Sequence, residues 1–349
     1  MEKITRIFID TSKQFFQLHG VNAAEAVVLR RKLKRSQLLP FFARLEPTAI
    51  GLEACGGSHH LARELIALGH EVKLVPPQYV KAYLKRGKND GRDAEAGCEA
   101  MSRPTMRFVP IKSAESQAAL MLASVRDRLT RSRTQLSNAI RGHAAEFGLV
   151  APRGLAHVAP LLADIAAEAR IPELARELFA ALAREWDRLG DELKAVDAKL
   201  MAWHRQDAMS RRLAQVPSLG PIGASLLVMK TPDPAAFKSA RNFAAWIGLT
   251  PKDHSTAGKQ RLGVITRAGD EALRSTLVVG ATAVIQQVVK GRGPRSPWLI
   301  KLLQKDKPKL AAVALANRVA RIAWRMMLTG EDYDPARLLR DLPPAKAAI

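Results

Sequence analysis

Four carboxylates in the first hundred residues have the types and spacing to hold a divalent cation. Asp10 closes the apolar segment Ile4-Thr-Arg-Ile-Phe-Ile-Asp10 and Glu53 closes Thr48-Ala-Ile-Gly-Leu-Glu53, while Asp90 and Asp93 lie in Lys88-Asn-Asp-Gly-Arg-Asp-Ala94. If the two apolar segments are neighbouring strands, about 5 Å apart, their terminal carboxylates can share one ion. Residues three apart share a helix face, so Asp90 and Asp93 can complete the set. Hard oxygen ligands of this kind select Mg²⁺, which neutralises charge on a phosphodiester as it is broken. Singly, each residue has a plainer reading: Asp93 as a first-turn helix residue favoured by the dipole, Glu53 as a solvent-facing edge residue. Together they are four acids grouped in a strongly basic chain, and that grouping asks for a reason.

The second constellation is Asp253-His254-Ser255-Thr256-Ala257-Gly258-Lys259-Gln260-Arg261. A serine hydroxyl is a poor nucleophile until a neighbour removes or polarises its proton. His254 adjoins Ser255, and Lys259 and Arg261 suit a phosphate. The same residues also suit an ordinary polar turn. Upstream, Val216-Pro-Ser-Leu-Gly-Pro-Ile-Gly-Ala-Ser-Leu-Leu-Val228 reads as a helix-hairpin-helix. Gly220 and Gly223 would open a helix N-terminus onto a phosphate, or simply serve a tight helix–helix turn.

These residues need elements to hold them. Ile4–Asp10, Phe15–Val21 and Ala26–Lys32 read as three strands in a meander, with Thr48–Glu53 and Glu71–Val75 as two more. Ser36 is placed to cap a helix running through Leu45. A second helix, His59 to Leu68, ends at Gly69. This is an α/β region, a mixed sheet with helices on its faces. Beyond it the pattern changes. Leu122, Val125, Leu129, Ser132 and Leu136 form one heptad-like seam. Leu174, Leu178, Leu182, Trp186, Leu189, Leu193, Val196 and Leu200 form another, after Pro172. The two predict an antiparallel coiled coil, or an ordinary helical bundle. Then come a helix over Phe237–Ile247, a polar loop over Thr250–Gly263 and a helix over Gly269–Val289. The implied modules are 1–108 (α/β), 109–210 (coiled coil) and 211–349 (mostly helical).

With 55 Lys and Arg against 33 Asp and Glu, the 349 residues carry a net charge of +22. Such an excess points to a polyanionic partner. Arg126, Arg131, Arg133 and Arg141, crowded on the first coiled-coil helix, are the candidate contacts to nucleic acid. No stretch reads as able to span a bilayer. The nearest, Leu310–Leu328, carries Arg318, Arg321 and Arg325 at helical spacing, an amphipathic helix with one basic face. Cys55 and Cys98 form no CxxC pair, so structural zinc and disulfides are not expected. The reducing cytoplasm, at the nucleoid, is the expected location, with no membrane partner.

Taken in order, Ile9-Asp-Thr-Ser-Lys13, Gly51-Leu-Glu-Ala-Cys-Gly-Gly57, Lys88–Ala94, Leu219-Gly-Pro-Ile-Gly223, Gly248-Leu-Thr-Pro251 and His254–Lys259 leading to Arg261-Leu-Gly263 carry a resemblance over nearly the whole chain. The sequence resembles the DEDD transposases of the insertion-sequence 110 family, and most of all its 1111 subgroup. The resemblance implies a RuvC-like (RNase H-like) domain, a coiled coil and a transposase domain. Asp10, Glu53, Asp90 and Asp93 match the acidic motif that works with Mg²⁺, and Ser255 matches the nucleophilic serine that links covalently to DNA. It further implies a structured non-coding guide RNA that selects DNA by pairing, and a homo-oligomer, dimer or tetramer, in which serine and acids act in cis or in trans. Many members carry two glycines after the Ser/Thr pair, where this chain has Ala257-Gly258. Two other readings stand beside this one. One is a RuvC-like Holliday-junction-type nuclease that hydrolyses DNA with two metal ions. The other is a non-catalytic nucleic-acid scaffold.

Overall fold

The computed structural model describes residues 3–83, 90–231, 233–256, 258–259, 261–292, 296–305 and 307–335, with the backbone alone at 90 and 91. The chain forms two compact units, Met1–Gln117 and Ala118–Ile349.

The first unit holds β1 (Arg6–Thr11), β2 (Phe15–Val21), β3 (Val27–Lys34), α1 (Arg35–Phe42), β4 (Ala49–Glu53), α2 (Ser58–Ala67), β5 (Glu71–Val75), α3 (Pro77–Val80) and α4 (Asp90–Ala100). The sheet order is β3-β2-β1-β4-β5. β2 pairs antiparallel with both β1 and β3, and β4 pairs parallel with β1 and β5. The expected mixed sheet with helices is therefore present. Its central strands are apolar on both faces because both faces are covered. Ile7, Ile9, Phe16, Leu18, Leu33, Ile50, Leu52 and Leu74 form one core with residues of α1 and α2. Phe8, Val21 and Val75 form the other with Ala94, Ala96, Cys98 and Met101.

One helix boundary differs from expectation. α1 begins at Arg35 rather than behind a Ser36 cap, because the Gln37 side chain accepts the Lys34 N–H at 2.9 Å. It ends at Phe42, where Leu45 N–H turns back onto the Phe42 carbonyl at 3.0 Å. Buried His70 fixes that end, bridging the Phe42 carbonyl (3.1 Å) and the Thr48 N–H (3.2 Å).

The second unit begins within α5 (Ala114–Glu146) and continues through α6 (Val158–Ala167), α7 (Glu173–Gln206), α8 (Ala208–Leu213), α9 (Pro221–Lys230), α10 (Ala240–Ile247), β6 (Pro251–Asp253), β7 (Leu262–Ile265), α11 (Glu271–Val289), α12 (Pro297–Lys305) and α13 (Pro308–Thr329). The contacts Arg126–Asp197, Arg133–Trp186 and Phe147–Phe179 run α5 and α7 in opposite directions. Val158, Leu161 and Ile165 of α6 join the same core. The predicted seam fails at one end: Leu174 and Leu178 are 68% and 58% exposed, and Phe179 takes the inward position, edge-on to Phe147.

Three further expectations change. The α10 helix starts at Ala240, not Phe237, because the Ser239 hydroxyl caps it by accepting Asn242 N–H. The supposed loop 250–263 contains the β6–β7 hairpin. Arg318 belongs to no exposed basic face: it is 2% exposed, its guanidinium 4.7 Å from the Trp298 ring centre.

Among the described residues, the helix long and apolar enough to cross a bilayer is α11, at 19 residues, and not Leu310–Leu328. Its Leu273, Leu277, Ala281 and Ile285, spaced by four, are buried in a core shared with α9 and α13.

Gly97 of α4 and Gly51 of β4 meet the Phe8 ring, leaving no room for side chains. A Cβ at Gly97 would overlap that ring, and one at Gly51 would lie 2.6 Å from both Phe8 and Met101 Sδ. Gly97→Ala is therefore expected to destabilise the first unit by about 1–3 kcal/mol, read as a lower urea midpoint. Gly142→Ala, on an open face of α5, should be neutral or stabilising by up to about 1 kcal/mol. Equal midpoints for Gly97→Ala and the parent protein would contradict the packing.

Candidate functional site

Two sites of chemistry emerge, one in each unit. In the first, the parallel register Ile9↔Leu52 brings Asp10 and Glu53 side by side at the ends of β1 and β4. Alternation puts both on the face of Phe8 and Gly51, which α4 covers. The direction of α4 follows from its contacts. Cys98 hydrogen-bonds Arg6 near the start of β1, and Gly97 sits on Phe8. The helix thus runs against β1, and Asp93, one turn before Gly97, lies towards the strand end that carries Asp10. Burial pushes the Cys98 thiol up, against the opposing hydrogen bond from Arg6.

Asp10, Glu53 and Asp93 are each half-buried. Glu53 and Asp93 have no hydrogen-bond or ion-pair partner among the described residues. Asp90 is the first residue of α4, with its side chain outside the described residues. Among the described residues no three carboxylate, histidine or cysteine groups close into a ligand cluster. The fold gathers Asp10, Glu53 and Asp93 at one end of one sheet face. Half-buried carboxylates, of which Glu53 and Asp93 have no partner among the described residues, are a hard oxygen donor set suited to a divalent cation.

In the second unit Ser255 stands at the exposed tip of the β6–β7 hairpin. Its N–H donates to Asp253 Oδ1 at 2.9 Å, and its Oγ accepts the Arg261 N–H at 3.0 Å. His254 N–H donates to the Arg261 carbonyl at 2.8 Å. The His254 ring is packed beside Gly263, across the hairpin. The residue engaging Ser255 is therefore Asp253 rather than His254. The sequence held a signal for this, since an Asp side chain accepting the backbone N–H two residues on is an Asx-turn pattern. Hydrogen bonds from the Ser255 side chain and backbone hold the Asp253 carboxyl below its ordinary range. Ala257 and Gln260 lie outside the described residues; Lys259 and Arg261 are exposed.

The root of this hairpin is rigid. Gly248 and Gly269 both have positive φ, +82° and +73°, and a Cβ on either would overlap the opposite backbone. Arg274 donates to the carbonyls of Ile247 (3.0 Å) and Ala268 (2.9 Å), and Asn317 to that of Leu249 (3.1 Å). Asp270 caps α11 through Leu273 N–H and takes Lys230 Nζ at 2.5 Å. Burial pushes the Asp270 carboxyl up, but the bonds from Lys230 and the helix amides outweigh it and hold it low.

The remaining candidates divide by environment. Gly220 caps α9 at the surface, whereas Gly223 is buried against Leu219 and Thr276. A buried chain from His204 through Ser210 to Ser225 fixes α7, α8 and α9 together. Arg126 pairs with Asp197 at 2.6 Å, and the Arg133 guanidinium lies 4.3 Å from the Trp186 ring centre. Arg141 binds Ser137 and the Gly154 carbonyl. Arg126 and Arg133 thus join the helical pair to itself, and Arg141 ties α5 to the segment that precedes α6. The Arg131 side chain is 61% exposed, paired with Asp127 at 3.0 Å.

Because the Asp253 carboxyl is depressed in the folded hairpin, its contribution is present above the unfolded value. It is lost as pH falls through the folded one. The Ser255 amide resonance is expected to follow that titration below about pH 4 and to lose it in Asp253→Ala. A Ser255 amide resonance identical in the parent and in Asp253→Ala would rule the bond out.

Two family profiles match the chain: a DEDD transposase profile of the IS110 group over residues 8–147, and one described as transposase IS116/IS110/IS902 family over residues 210–293. The first match spans the acids and the second spans Ser255. The chain is 63% identical over 337 residues to a putative transposase of Sinorhizobium fredii, covering 96% of this chain and 87% of that one. It is 46% identical to a probable family 20 transposase of Pseudomonas aeruginosa, covering 95% and 99% of the two chains. To the transposase for insertion sequence element IS1111A of Coxiella burnetii it is 35% identical, covering 95% and 92%.

Proposed function

Since this chain belongs to the IS116/IS110/IS902 family of transposases, enzymes that cleave DNA and transfer its strands, we propose that it does so through a covalent Ser255–DNA intermediate. In this reading a structured non-coding RNA from the element selects the DNA by base pairing. The observation that carries the proposal is the hairpin: a serine at the exposed tip of a rigidly rooted turn, with its backbone N–H tied to Asp253.

The Ser255 hydroxyl attacks a backbone phosphorus, forming a serine–phosphate ester while the deoxyribose oxygen leaves as a hydroxyl. The serine proton passes out as the leaving oxygen gains one, so the step is balanced. Attack by a hydroxyl of a second strand reverses it, releasing Ser255 and joining the new strand. One phosphate ester replaces another, and no nucleotide cofactor is needed. Lys259 and Arg261 neutralise the phosphate at the tip. Asp10, Glu53, Asp90 and Asp93 would hold Mg²⁺. Bound there, it would supply charge neutralisation at the scissile phosphodiester. The working arrangement is three modules, 1–108, 109–210 and 211–349, in a dimer or tetramer at the nucleoid. Arg126, Arg131, Arg133 and Arg141 lie along the helix proposed to meet nucleic acid, and Gly220 and Gly223 at the helix-hairpin-helix. Of these, Arg131 and Gly220 present the most accessible groups.

Ser255→Ala should lower strand transfer by at least about a thousandfold, the scale of losing a nucleophile, with DNA retention intact. The protein–DNA adduct trapped by denaturation should vanish with it. Unimpaired recombination by Ser255→Ala removes the serine role. Products with free phosphate ends and no attached protein would mean metal-dependent hydrolysis instead. Glu53→Gln, nearly isosteric, should abolish Mg²⁺-dependent cleavage while leaving the melting midpoint within about 1 °C, a surface-type change. Full activity in that variant removes Glu53 from the site.

A further inference from the structure

The edge strand β3 carries Arg30, Arg31, Lys32 and Lys34, and the sheet register sorts them by face. Lys32 pairs with Gln17, which pairs with Asp10; Arg30 pairs with His19, which pairs with Phe8. Directly paired residues share a face, so Arg30, Lys32 and Lys34 lie on the same face as Asp10 and Glu53. They sit two strands away from Asp10, about 10 Å across the sheet. Arg31 points to the other face, where its guanidinium is 5.3 Å from the Phe41 ring centre.

The α4 helix lies over β1, β2 and β4, and Arg30, Lys32 and Lys34 on β3 are all exposed. None of the three has an ion-pair partner among the described residues. Lys32 Nζ is held 4.7 Å from the Phe15 ring centre, which places its charge without neutralising it. Successive same-face residues on a strand are about 6.6 Å apart, so the three cations make a row of about 13 Å. An uncompensated cationic row beside a cluster of acids is where a strand of phosphates entering those acids would lie.

We propose that Arg30, Lys32 and Lys34 form a track for the phosphate backbone of duplex DNA, holding the strand whose phosphodiester is presented to Asp10 and Glu53. DNA is the occupant because it is the polyanion this family cuts, and because the row flanks the acids on their own face. The track rests on the acids being the place of cleavage. It does not depend on the serine step.

The test uses the full-length protein carrying Ser255→Ala, so that no strand is cut, and a labelled duplex containing an element end. Binding is measured across a salt titration for the parent, for Arg30→Gln/Lys32→Gln/Lys34→Gln, and for Arg31→Gln on the opposite face. The triple variant should bind about 10- to 100-fold more weakly near 0.1 M salt. Its log–log salt slope should be shallower by about 2 to 3, since each phosphate contact contributes about 0.9. Arg31→Gln should match the parent, and the melting midpoints should agree. Parental affinity and slope in the triple variant overturn the track. So does an equal loss in Arg31→Gln, or a loss confined to co-purifying RNA with duplex DNA binding unchanged. A parent that retains no duplex at all overturns the DNA reading of the acidic site as well.

Discussion

Phe8 is the only side chain of β1 that points at α4 from the middle of the strand, and the helix reaches it only through two glycines. At Gly97 and Gly51 the ring is met by backbone, with no side chain between. That close approach seats α4 against the sheet, and its direction carries the first turn of the helix towards the ends of β1 and β4. The acids depend on this contact although none of them makes it. Asp10 and Glu53 are neighbours by strand register, but Asp93 comes from a segment some forty residues further on and has no local reason to be near them. A looser α4 would leave the two strand acids in place and separate Asp93 from them.

The serine hairpin obeys a comparable constraint by different means. Its tip is held by few bonds, all local, while its root is fixed by backbone packed on backbone at Gly248 and Gly269 and by Arg274 and Asn317 reaching carbonyls. A short two-stranded ribbon is marginal alone in water. Here the ordering is supplied from below by α10, α11 and α13, so the tip can remain exposed and still be aimed. Leu262 and Val264, 57% and 69% exposed, leave one side of β7 uncovered.

The large positive charge is not one undivided surface. Arg126, Arg133, Arg141 and Arg318 are engaged within the protein, by a carboxylate, a carbonyl or an aromatic ring, and their stems pack as much as their charges pair. Removing such a group costs packing and a partner, so its effect on nucleic acid would be indirect. The exposed cations with no ion-pair partner among the described residues, Arg30, Lys32 and Lys34 on β3 and Lys259 and Arg261 on the hairpin, are those proposed to meet an external polyanion. Counting arginines on a helix does not separate the two kinds.

The sequence by itself determined the strands and the ends that carry Asp10 and Glu53, because alternation and turn residues act locally. β2 and β5 match their expected limits and β4 starts one residue late, at Ala49, with β5 stopping at Pro76-Pro77 where a proline cannot donate to the ladder. Motif order alone also pointed to Ser255, the nucleophile proposed above. Tertiary structure decided what periodicity cannot carry. A hairpin of strands three and four residues long, with nearly every side chain exposed, has no buried face for an apolar period to mark, so β6 and β7 read as a loop. The end of α1 was set by His70, twenty-eight residues beyond Phe42. The helical seam yielded Leu174 and Leu178 to solvent because Phe147 and Phe179 filled that end of the core first. Arg318 looked like a surface cation until Trp298 was folded beneath it. In each case the deciding partner is distant in the chain, and only the folded packing brings it within reach.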